Sequence, residues 1–245
     1  MITLSIVSHL QFELVKLLLD DLEKYCVDNI PFEVILTCNL PEKLPQNFDR
    51  YHYKIKVISN TIPMGYGANH NQAFHCSEYN YFCVLNPDIR LINNPFTKLL
   101  DCLQSHQKIG VIAPQIVNEK NQSEDNARQF LTPIRLFKRI LFGKKLEFDV
   151  HQNEIIPDWV AGMFMLFPAQ SYNEVNGFDE RYFMYCEDMD ICFRLKQKAY
   201  QAFCISEVKV IHESKRDSHK KVKYFYWHIV SLMKFFVKTH FGAKL

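Results

Sequence analysis

The sequence predicts an α/β protein whose core is a mainly parallel sheet flanked by helices. Two short apolar runs, Ile2–Ser8 and Tyr81–Leu85, have the length and composition of buried strands. Between them, Phe12–Tyr25 places its apolar residues at helical spacing. Strands that alternate with helices along a chain usually pair as parallel neighbours, which predicts this sheet. With 245 residues, 48% of them hydrophobic, the chain is long enough for one sizeable core.

The other elements follow from local pattern: strands are short apolar runs, helices repeat apolar residues every three or four positions, and loops collect Asn, Gly, Ser and Asp. In chain order they are strands at 32–37 and 54–58, the strand Tyr81–Leu85, a polar loop at 118–126, a basic amphipathic helix at 133–146, a strand containing Gly162 at 159–167, a short helix at 168–175, a turn at 176–179, a helix from Glu187 and a strand at 208–211.

Composition excludes several classes of function. With 29 basic and 27 acidic residues the net charge is +2, so no global field attracts nucleic acid, and no RNA-binding motif is present. The eight cysteines are scattered without metal-like spacing, which predicts buried free thiols in a reducing compartment. The N-terminus lacks the charged region of a signal peptide, and no apolar run reaches the length of a membrane span. We therefore expect a cytoplasmic protein.

Polar residues follow the predicted strands at the point where each strand ends. They are Ser8, Asn39, Asn60 and the tripeptide Asn86-Pro-Asp88. Ligands of open parallel sheets bind outside the carboxyl ends of the strands, so these residues mark a candidate site. The side-chain oxygens of Asn86 and Asp88 are the ligands that Mg²⁺ or Mn²⁺ prefers, although the same tripeptide also forms common turns.

Three carboxylates, those of Glu187, Asp188 and Asp190, lie in the otherwise apolar segment 182–195. Carboxylates are rarely buried unless they are paired, protonated or bound to metal. Two explanations remain open on this evidence. The acidic residues stabilise the positive end of a helix macrodipole, or the helix start presents a general base.

Seven segments in this order resemble the inverting glycosyltransferases of family 2, in particular the bacterial rhamnosyltransferases that build O-antigen. The matching segments are 5–9, Asn60 with 65–71, 85–88, 158–162, 177–183, 187–190 and His212. The resemblance covers nearly the whole chain and implies the GT-A fold, a Rossmann-like mixed sheet flanked by helices. Two positions depart from the family's pattern, since Asn86 and Cys38 stand where many relatives have Asp.

The resemblance also implies roles for the acidic residues and for one histidine. Asp188 matches the family's general base, which removes the acceptor hydroxyl proton, and Glu187 and Asp190 are expected to orient it. Asp88 and His212 match the family's ligands for a divalent metal, Mg²⁺ or Mn²⁺, which neutralises the departing diphosphate. The alternative for a lone histidine such as His212 is an ordinary core or surface position.

Binding residues are implied in the same way. The set expected to bind the nucleotide sugar consists of Ser8, Asn39, Asn60, Gly65, Gly67, Asn69, Asn86, Asp88 and Arg128. The set expected to bind the acceptor consists of Trp159, Gly162 and Glu187. Each has a structural alternative: Gly65, Gly67 and Asn69 suit a turn held by an asparagine, Arg128 suits an exposed surface, and Trp159 suits a buried core.

The resemblance implies a substrate pair as well. The donor is dTDP-rhamnose, and the acceptor is N-acetylglucosamine linked through diphosphate to a polyprenol, as in the biosynthesis of O-antigen or capsule. Such an acceptor places the protein peripherally at the inner face of the bacterial inner membrane. Two rival hypotheses stay open: another donor such as UDP-galactofuranose, and a non-catalytic relative that only binds a sugar nucleotide.

The tail of the chain interleaves lysines with aromatic residues. We expect a glycosyltransferase domain at 1–215 and a basic amphipathic helix at 216–245. Such a helix can bury its apolar side at a membrane surface while its lysines meet anionic lipid. It can equally pack on the core with its lysines in solvent.

Overall fold

The computed structural model describes residues 1–132, 153–213 and 222–241. The strands are β1 (Ile2–Ser8), β2 (Phe32–Cys38), β3 (Lys54–Ser59), β4 (Tyr81–Leu85), β5 (Ile89–Arg90), β6 (Ile109–Val117), β7 (Ala127–Arg128), β8 (Glu154–Ile155), β9 (Trp159–Val160), β10 (Phe164–Pro168) and β11 (Gln201–His212). The helices are α1 (Phe12–Tyr25), α2 (Tyr66–His75), α3 (Phe96–Ser105), α4 (Ala169–Glu174), α5 (Glu187–Gln197) and α6 (Val222–Phe241).

The larger sheet has the strand order β3-β2-β1-β4-β10-β6-β11-β5, with β8 paired to β11. Strands β1 to β4 run parallel, and β6 runs parallel to β11. Strand β10 lies between β4 and β6 and is antiparallel to both. A second, two-stranded sheet joins β7 to β9. The prediction of a mixed, mainly parallel sheet flanked by helices is confirmed.

Helices cover both faces of the larger sheet, as alternation along the strands requires. Ile2, Leu4 and Ile6 of β1 belong to the buried cluster that includes α1 and α3. The other face packs on α2, α4, α5 and α6. On that second face, Ser5 Oγ lies 2.8 Å from His70 Nδ1, and burial lowers the pKa of His70 to about 3, so this histidine is a neutral core residue.

The predicted strand at 159–167 is wrong as a single element, because Gly162 divides it into β9 and β10. The Gly162 N–H donates to Asp188 Oδ2 at 3.0 Å, and the Gly162 carbonyl accepts the Tyr66 hydroxyl. These partners lie far away in sequence and use backbone groups that a continuous ladder would need. The predicted strand at 208–211 is the end of the longer β11, and the predicted helix at 133–146 lies outside the described residues.

All eight cysteines are free, and seven of them are buried as predicted, whereas Cys76 is exposed. In the ranges that the structure describes, no helix combines the length and apolar character that crossing a bilayer requires.

Helix α6 packs on the same core as α5 and the larger sheet. Leu232 and Phe235 are buried in the cluster that also contains α5, and Ser231 Oγ donates to the Met184 carbonyl at 2.9 Å. Lys238 Nζ reaches the buried Asp190 at 2.6 Å. This face of the helix therefore packs on the core, with Lys238 bonded inward and not left in solvent.

Candidate active site

The candidate site lies at the edge of the sheet where the parallel strands end. Ser8 and His212 are the last residues of β1 and β11, and Asn86 follows β4 directly. Backbone hydrogen bonds tie this edge together, because the Asn39 N–H donates to the Ser8 carbonyl at 2.8 Å and the Asn86 N–H donates to the Met163 carbonyl at 2.9 Å. The polar residues predicted at the strand ends therefore do meet at one edge.

Three predicted nucleotide-binding asparagines use their side chains to hold the loop between β3 and α2. Asn60 Nδ2 donates to Asn39 Oδ1 at 3.2 Å and to Asn69 Oδ1 at 2.7 Å. Asn69 Nδ2 donates to the Gly65 carbonyl at 2.9 Å, and the Met64 N–H donates to Asn39 Oδ1 at 2.7 Å. The geometry agrees with the loop-holding alternative, and contact of these asparagines with a nucleotide stays a prediction.

The two glycines of this loop are required by packing against the protein itself. A Cβ at Gly65 would lie 2.9 Å from the Phe183 carbonyl oxygen, and one at Gly67 would lie 2.6 Å from Phe178 Cβ. The family resemblance implied that these glycines contact the nucleotide sugar. The observed partner is the segment 178–183, which leads into α5.

Asp88 and His212 lie side by side because β5 pairs antiparallel with the end of β11. His212 Nε2 is 3.3 Å from Asp88 Oδ2, and His212 Nδ1 is 3.0 Å from Glu124 Oε2. The other Asp88 oxygen, Oδ1, is buried without a hydrogen-bond partner in the described part of the chain. A buried carboxylate oxygen without a partner is costly unless a cation or donor completes it.

The charges around His212 fit a divalent cation. Burial alone lowers the pKa of His212, but the hydrogen bonds and charges of Asp88 and Glu124 raise it above its ordinary value overall. Two carboxylates thus converge on this imidazole. Asp88 would provide an oxygen ligand and His212 a ring nitrogen. Mg²⁺ or Mn²⁺ accepts this donor set when diphosphate oxygens fill the remaining positions.

Asp188 is held at the start of α5 by two backbone donors. Its Oδ2 accepts the Gly162 N–H at 3.0 Å, and its Oδ1 accepts the Met189 N–H at 2.8 Å. The side chain is partly exposed. Bonds at both oxygens fix the plane of the carboxylate, while each oxygen keeps a second lone pair. The arrangement suits a base that takes a proton from a bound molecule.

A turn with left-handed backbone dihedral angles orients the Asp188 carboxylate. Tyr185 and Cys186, immediately before α5, have φ values of 71° and 65°. Residues with side chains rarely adopt this region, and such strain is held in place by surrounding structure. The turn decides where the first residues of α5 point, and it cannot be read from the residue types in the sequence.

Burial acts on both carboxylates at the start of α5. It raises the pKa of Asp188, and the hydrogen bonds from Gly162 and Met189 together with the charge of Arg128 oppose that rise. Burial and the nearby charge of Asp188 raise the pKa of Glu187 well above its usual range. Glu187 Oε2 is buried without a hydrogen-bond partner within the described residues. A raised pKa makes Asp188 a stronger base than an ordinary surface aspartate.

Asp190 does not orient Asp188, contrary to the expectation from the sequence. It is fully buried, and its carboxylate accepts hydrogen bonds from Arg194 Nε at 2.6 Å, Lys238 Nζ at 2.6 Å and the Tyr182 hydroxyl at 3.3 Å. Because Lys238 belongs to α6, Asp190 fastens the C-terminal helix to α5. This contact crosses 48 residues of sequence.

Asp190→Asn is expected to lower the free energy of unfolding by about 3–5 kcal/mol, because it removes one partner of a buried ion-pair network. Urea denaturation followed by circular dichroism measures this change. The control is Lys196→Met, which breaks the more exposed pair with Asp158 and is expected to cost about 0–1 kcal/mol. An Asp190→Asn protein as stable as the parent but inactive would restore the orienting role.

Trp159 is a core residue and not an exposed platform for a sugar. It is 6% exposed, its Nε1–H donates to the Gln129 carbonyl at 3.1 Å, and the Arg128 guanidinium lies 4.9 Å from the ring centroid. Arg128 pairs with Asp125 at 3.2 Å, and its charge reaches Asp188. The predicted acceptor role of Trp159 is therefore corrected to support of Arg128, whereas Gly162 does contact the predicted base.

Two residues of the site escaped the sequence reasoning. The Tyr66 hydroxyl donates to the Gly162 carbonyl and lies 3.3 Å from Asn86 Oδ1, so it joins the strand-end residues to the Asp188 segment. Burial and then the charges of Glu187 and Asp188 raise the pKa of Tyr66 well above its usual value. The sequence signal for Tyr66 was its position inside the segment 65–71, which carries part of the family resemblance. Glu124, in a loop predicted only as polar, offered none.

Comparison with known proteins identifies relatives of this fold and of this sequence. The structure is similar to the mannosyltransferase PcManGT from Pyrobaculum calidifontis in complex with GDP-Man and Mn²⁺, with a TM-score of 0.65 and 12% identity over 95% of this chain and 64% of that chain. The sequence is 26% identical to rhamnosyltransferase WbbL of Escherichia coli strain K12, over 97% of this chain and 93% of the relative.

A third relative is the N-acetylglucosaminyl-diphospho-decaprenol L-rhamnosyltransferase of Mycobacterium tuberculosis, 24% identical over 74% of this chain and 66% of the relative. The strand order and the likeness to the mannosyltransferase structure show the GT-A fold. The family is also clear, because the family model described as Glycosyl transferase family 2 matches residues 6–167. The chain belongs to glycosyl transferase family 2.

Proposed function

We propose that this protein transfers a sugar in a single displacement with Asp188 as the general base. The observation that supports this most is the Asp188 carboxylate, fixed by the Gly162 and Met189 N–H groups and partly exposed at the sheet edge. The acceptor hydroxyl gives its proton to Asp188 while its oxygen bonds to the anomeric carbon. The bond from that carbon to the diphosphate oxygen breaks, and the nucleoside diphosphate leaves with the electron pair.

Asp88 and His212 would hold Mg²⁺ or Mn²⁺ in this scheme. A bound divalent cation neutralises charge that develops on the leaving diphosphate. Glu124 holds His212 Nδ1 and so keeps Nε2 directed towards Asp88. Carboxylate–histidine pairs of this kind orient metal ligands in many proteins. Arg128 belongs to the set expected to bind the nucleotide sugar, and its guanidinium would bind the diphosphate. Its positive charge also acts on Asp188.

The substrates are proposed from the relatives. The names of two relatives specify rhamnosyl transfer, and one specifies an N-acetylglucosaminyl-diphospho-decaprenol acceptor. We therefore assign L-rhamnose from dTDP-rhamnose as the transferred sugar and polyprenyl-diphosphate-linked N-acetylglucosamine as the acceptor, in the biosynthesis of O-antigen or capsule. With such an acceptor, the transfer takes place at the inner face of the bacterial inner membrane.

A donor panel tests this assignment. Purified protein is incubated with a synthetic N-acetylglucosaminyl-diphospho-lipid and either dTDP-rhamnose or UDP-galactofuranose, and products are read by mass spectrometry. A mass gain of one deoxyhexose with dTDP-rhamnose alone is the expected result. A hexose gain with UDP-galactofuranose would replace the donor, and donor binding without transfer to any acceptor would favour the non-catalytic alternative.

Arg128→Gln is expected to move the acidic limb of the kcat/KM profile to higher pH. The Arg128 charge lowers the pKa of Asp188, so its removal raises that pKa. A base works only when deprotonated, and activity at low pH must therefore fall more than activity at high pH. Arg128→Lys keeps the charge and is the control. An acidic limb that stays in place in Arg128→Gln would contradict the link between these residues.

A further inference from the structure

A cysteine, a histidine and a glutamate meet between the end of α3 and the start of β8. Cys102 lies in the last turn of α3, His106 is the residue that follows this helix, and Glu154 opens β8. One ligand atom of each residue lies within 4.8 Å of the ligand atoms of the other two. Sulfur, imidazole nitrogen and carboxylate oxygen are all ligands of transition metals. This cluster is therefore a candidate metal site separate from Asp88 and His212.

Two of the three side chains are aligned by the helix that carries them. Residues four apart lie on one face of a helix, and the His106 N–H donates to the Cys102 carbonyl at 3.2 Å. His106 Nδ1 also lies 3.2 Å from this carbonyl, which can only accept, so the ring proton belongs on Nδ1. The Ser105 hydroxyl beside Nδ1 donates to the Asp101 and Cys102 carbonyls. Nε2 therefore keeps its lone pair, and a backbone bond at the other nitrogen is usual for histidine ligands.

The third side chain comes from a strand that is distant in sequence. Glu154 is paired with Ile205 where β8 runs antiparallel to β11, and its neighbour Ile155 is buried in the cluster on the α5 face of the sheet. Because side chains alternate along a strand, Glu154 points to the opposite face, where α3 packs. The ring of Phe203 in β11 lies 5.4 Å from the ring of His106. Packing of α3 on the sheet thus creates the cluster, and the spacing of the cysteines alone does not reveal it.

The gaps between the three side chains are close to those between ligands of a single ion. Cys102 Sγ is 4.0 Å from Glu154 Oε1, and Glu154 Oε2 is 3.8 Å from His106 Nε2. Hydrogen bonds between nitrogen and oxygen span about 2.7–3.2 Å, so Nε2 and Oε2 are not bonded directly. Zinc bonds of about 2.0–2.3 Å in a tetrahedron place neighbouring ligand atoms about 3.3–3.6 Å apart. Side-chain shifts of about 0.5 Å would therefore complete such a site.

The position of the cluster gives an ion access from solvent and separates it from the candidate active site. The side chains of His106 and Glu154 are 42% and 48% exposed, whereas Cys102 is buried beneath them. Along β11, Ile205, the partner of Glu154, is separated from His212 by roughly 20 Å. One ion cannot serve both sites. A thiolate ligand also selects Zn²⁺ over Mg²⁺ and Mn²⁺, which prefer oxygen.

We infer that Cys102, His106 and Glu154 bind one Zn²⁺ ion, with water in the fourth position. The Cys102 thiol gives its proton to solvent on binding, because the thiolate is the ligand. The ion ties the end of α3 to β8 and, through β8, to β11. An ion that binds only the folded chain stabilises it, so the role of this site is structural. The inference does not depend on the proposed sugar transfer.

The test is titration of the whole, reduced protein with Co²⁺, which replaces Zn²⁺ and gives a thiolate-to-cobalt charge-transfer band in the near ultraviolet. Wild-type protein is expected to show the band, and Zn²⁺ should abolish it whereas Mg²⁺ should not. Asp88 and His212 offer no thiolate and cannot produce it. Cys102→Ser is expected to lose the band. Cys76→Ser is the matched control and should keep it, because Cys76 is an exposed cysteine that also follows a helix, α2.

His106→Gln and Glu154→Gln alter exposed side chains and keep the test valid if Cys102→Ser fails to fold, which circular dichroism shows. Each is expected to weaken Co²⁺ binding at least about tenfold. Zn²⁺ should raise the melting temperature of the wild type and leave that of His106→Gln unchanged. No band in the wild type, the same band in folded Cys102→Ser, or unchanged affinity in both glutamine variants would overturn the inference and indicate adventitious binding only.

Discussion

Asp188→Asn is expected to lower kcat by about 10²–10⁴-fold, the contribution typical of a positioned general base. The amide cannot take the acceptor proton, whereas donor binding should change little because the base acts in the chemical step. The parameters to measure are kcat and the donor Kd, the latter by calorimetry. Asn has only one acceptor oxygen for the two N–H groups that Asp188 now satisfies, so thermal stability must be recorded alongside.

The matched control for this variant is Glu23→Gln. Glu23 also accepts a backbone N–H, that of His52 at 3.0 Å, but it lies on α1 across the sheet. Its replacement should leave kcat unchanged. Retention of full turnover in a folded Asp188→Asn protein would remove Asp188 from the base role and return α5 to the simpler explanation of acidic residues at a helix N-terminus.

Asp88→Asn and His212→Gln are each expected to abolish high-affinity Mn²⁺ binding and the metal-dependent part of the activity. The two side chains lie together, and Asp88 Oδ1 has no other partner in the described residues. Glu124→Gln should weaken Mn²⁺ binding by about 10–100-fold, the usual effect of removing the group that orients a ligating histidine. Electron paramagnetic resonance titration of free Mn²⁺ measures all three without reference to turnover.

His52→Gln is the control for these variants, because His52 is an exposed histidine that also pairs with a carboxylate, that of Glu23. It should bind Mn²⁺ like the parent protein. If Asp88→Asn and His212→Gln bound Mn²⁺ as tightly as His52→Gln does, the metal would have to be held elsewhere.

The fold was predictable from sequence where the signal is local. The apolar runs of β1, β2, β3 and β4 and the periodicity of α1 appear in the sequence within a residue or so of their observed bounds. The grouping of strand-end residues followed from the direction of parallel strands alone. The pairing of Asp88 with His212 joins positions far apart in the chain, and the family resemblance supplied it.

The errors share one cause, contacts between distant segments. Asp190 was expected to orient the base, but it is bonded to Lys238 of α6. Trp159 was expected to bind the acceptor, but its ring is buried beside the Arg128 guanidinium. The break at Gly162 depends on Tyr66 and Asp188, neither of which is near it in sequence. Side-chain burial of this kind is set by tertiary packing, so pattern alone cannot assign it.

The central claim is a single displacement at the anomeric carbon with Asp188 as base, and the anomeric configuration of the product tests it most directly. The product made with the donor selected by the panel is purified, and its one-bond carbon–hydrogen coupling at the new linkage is measured by nuclear magnetic resonance. The account predicts inversion relative to the donor, with no product from Asp188→Asn. Retention of configuration would contradict a single displacement and require a different role for Asp188.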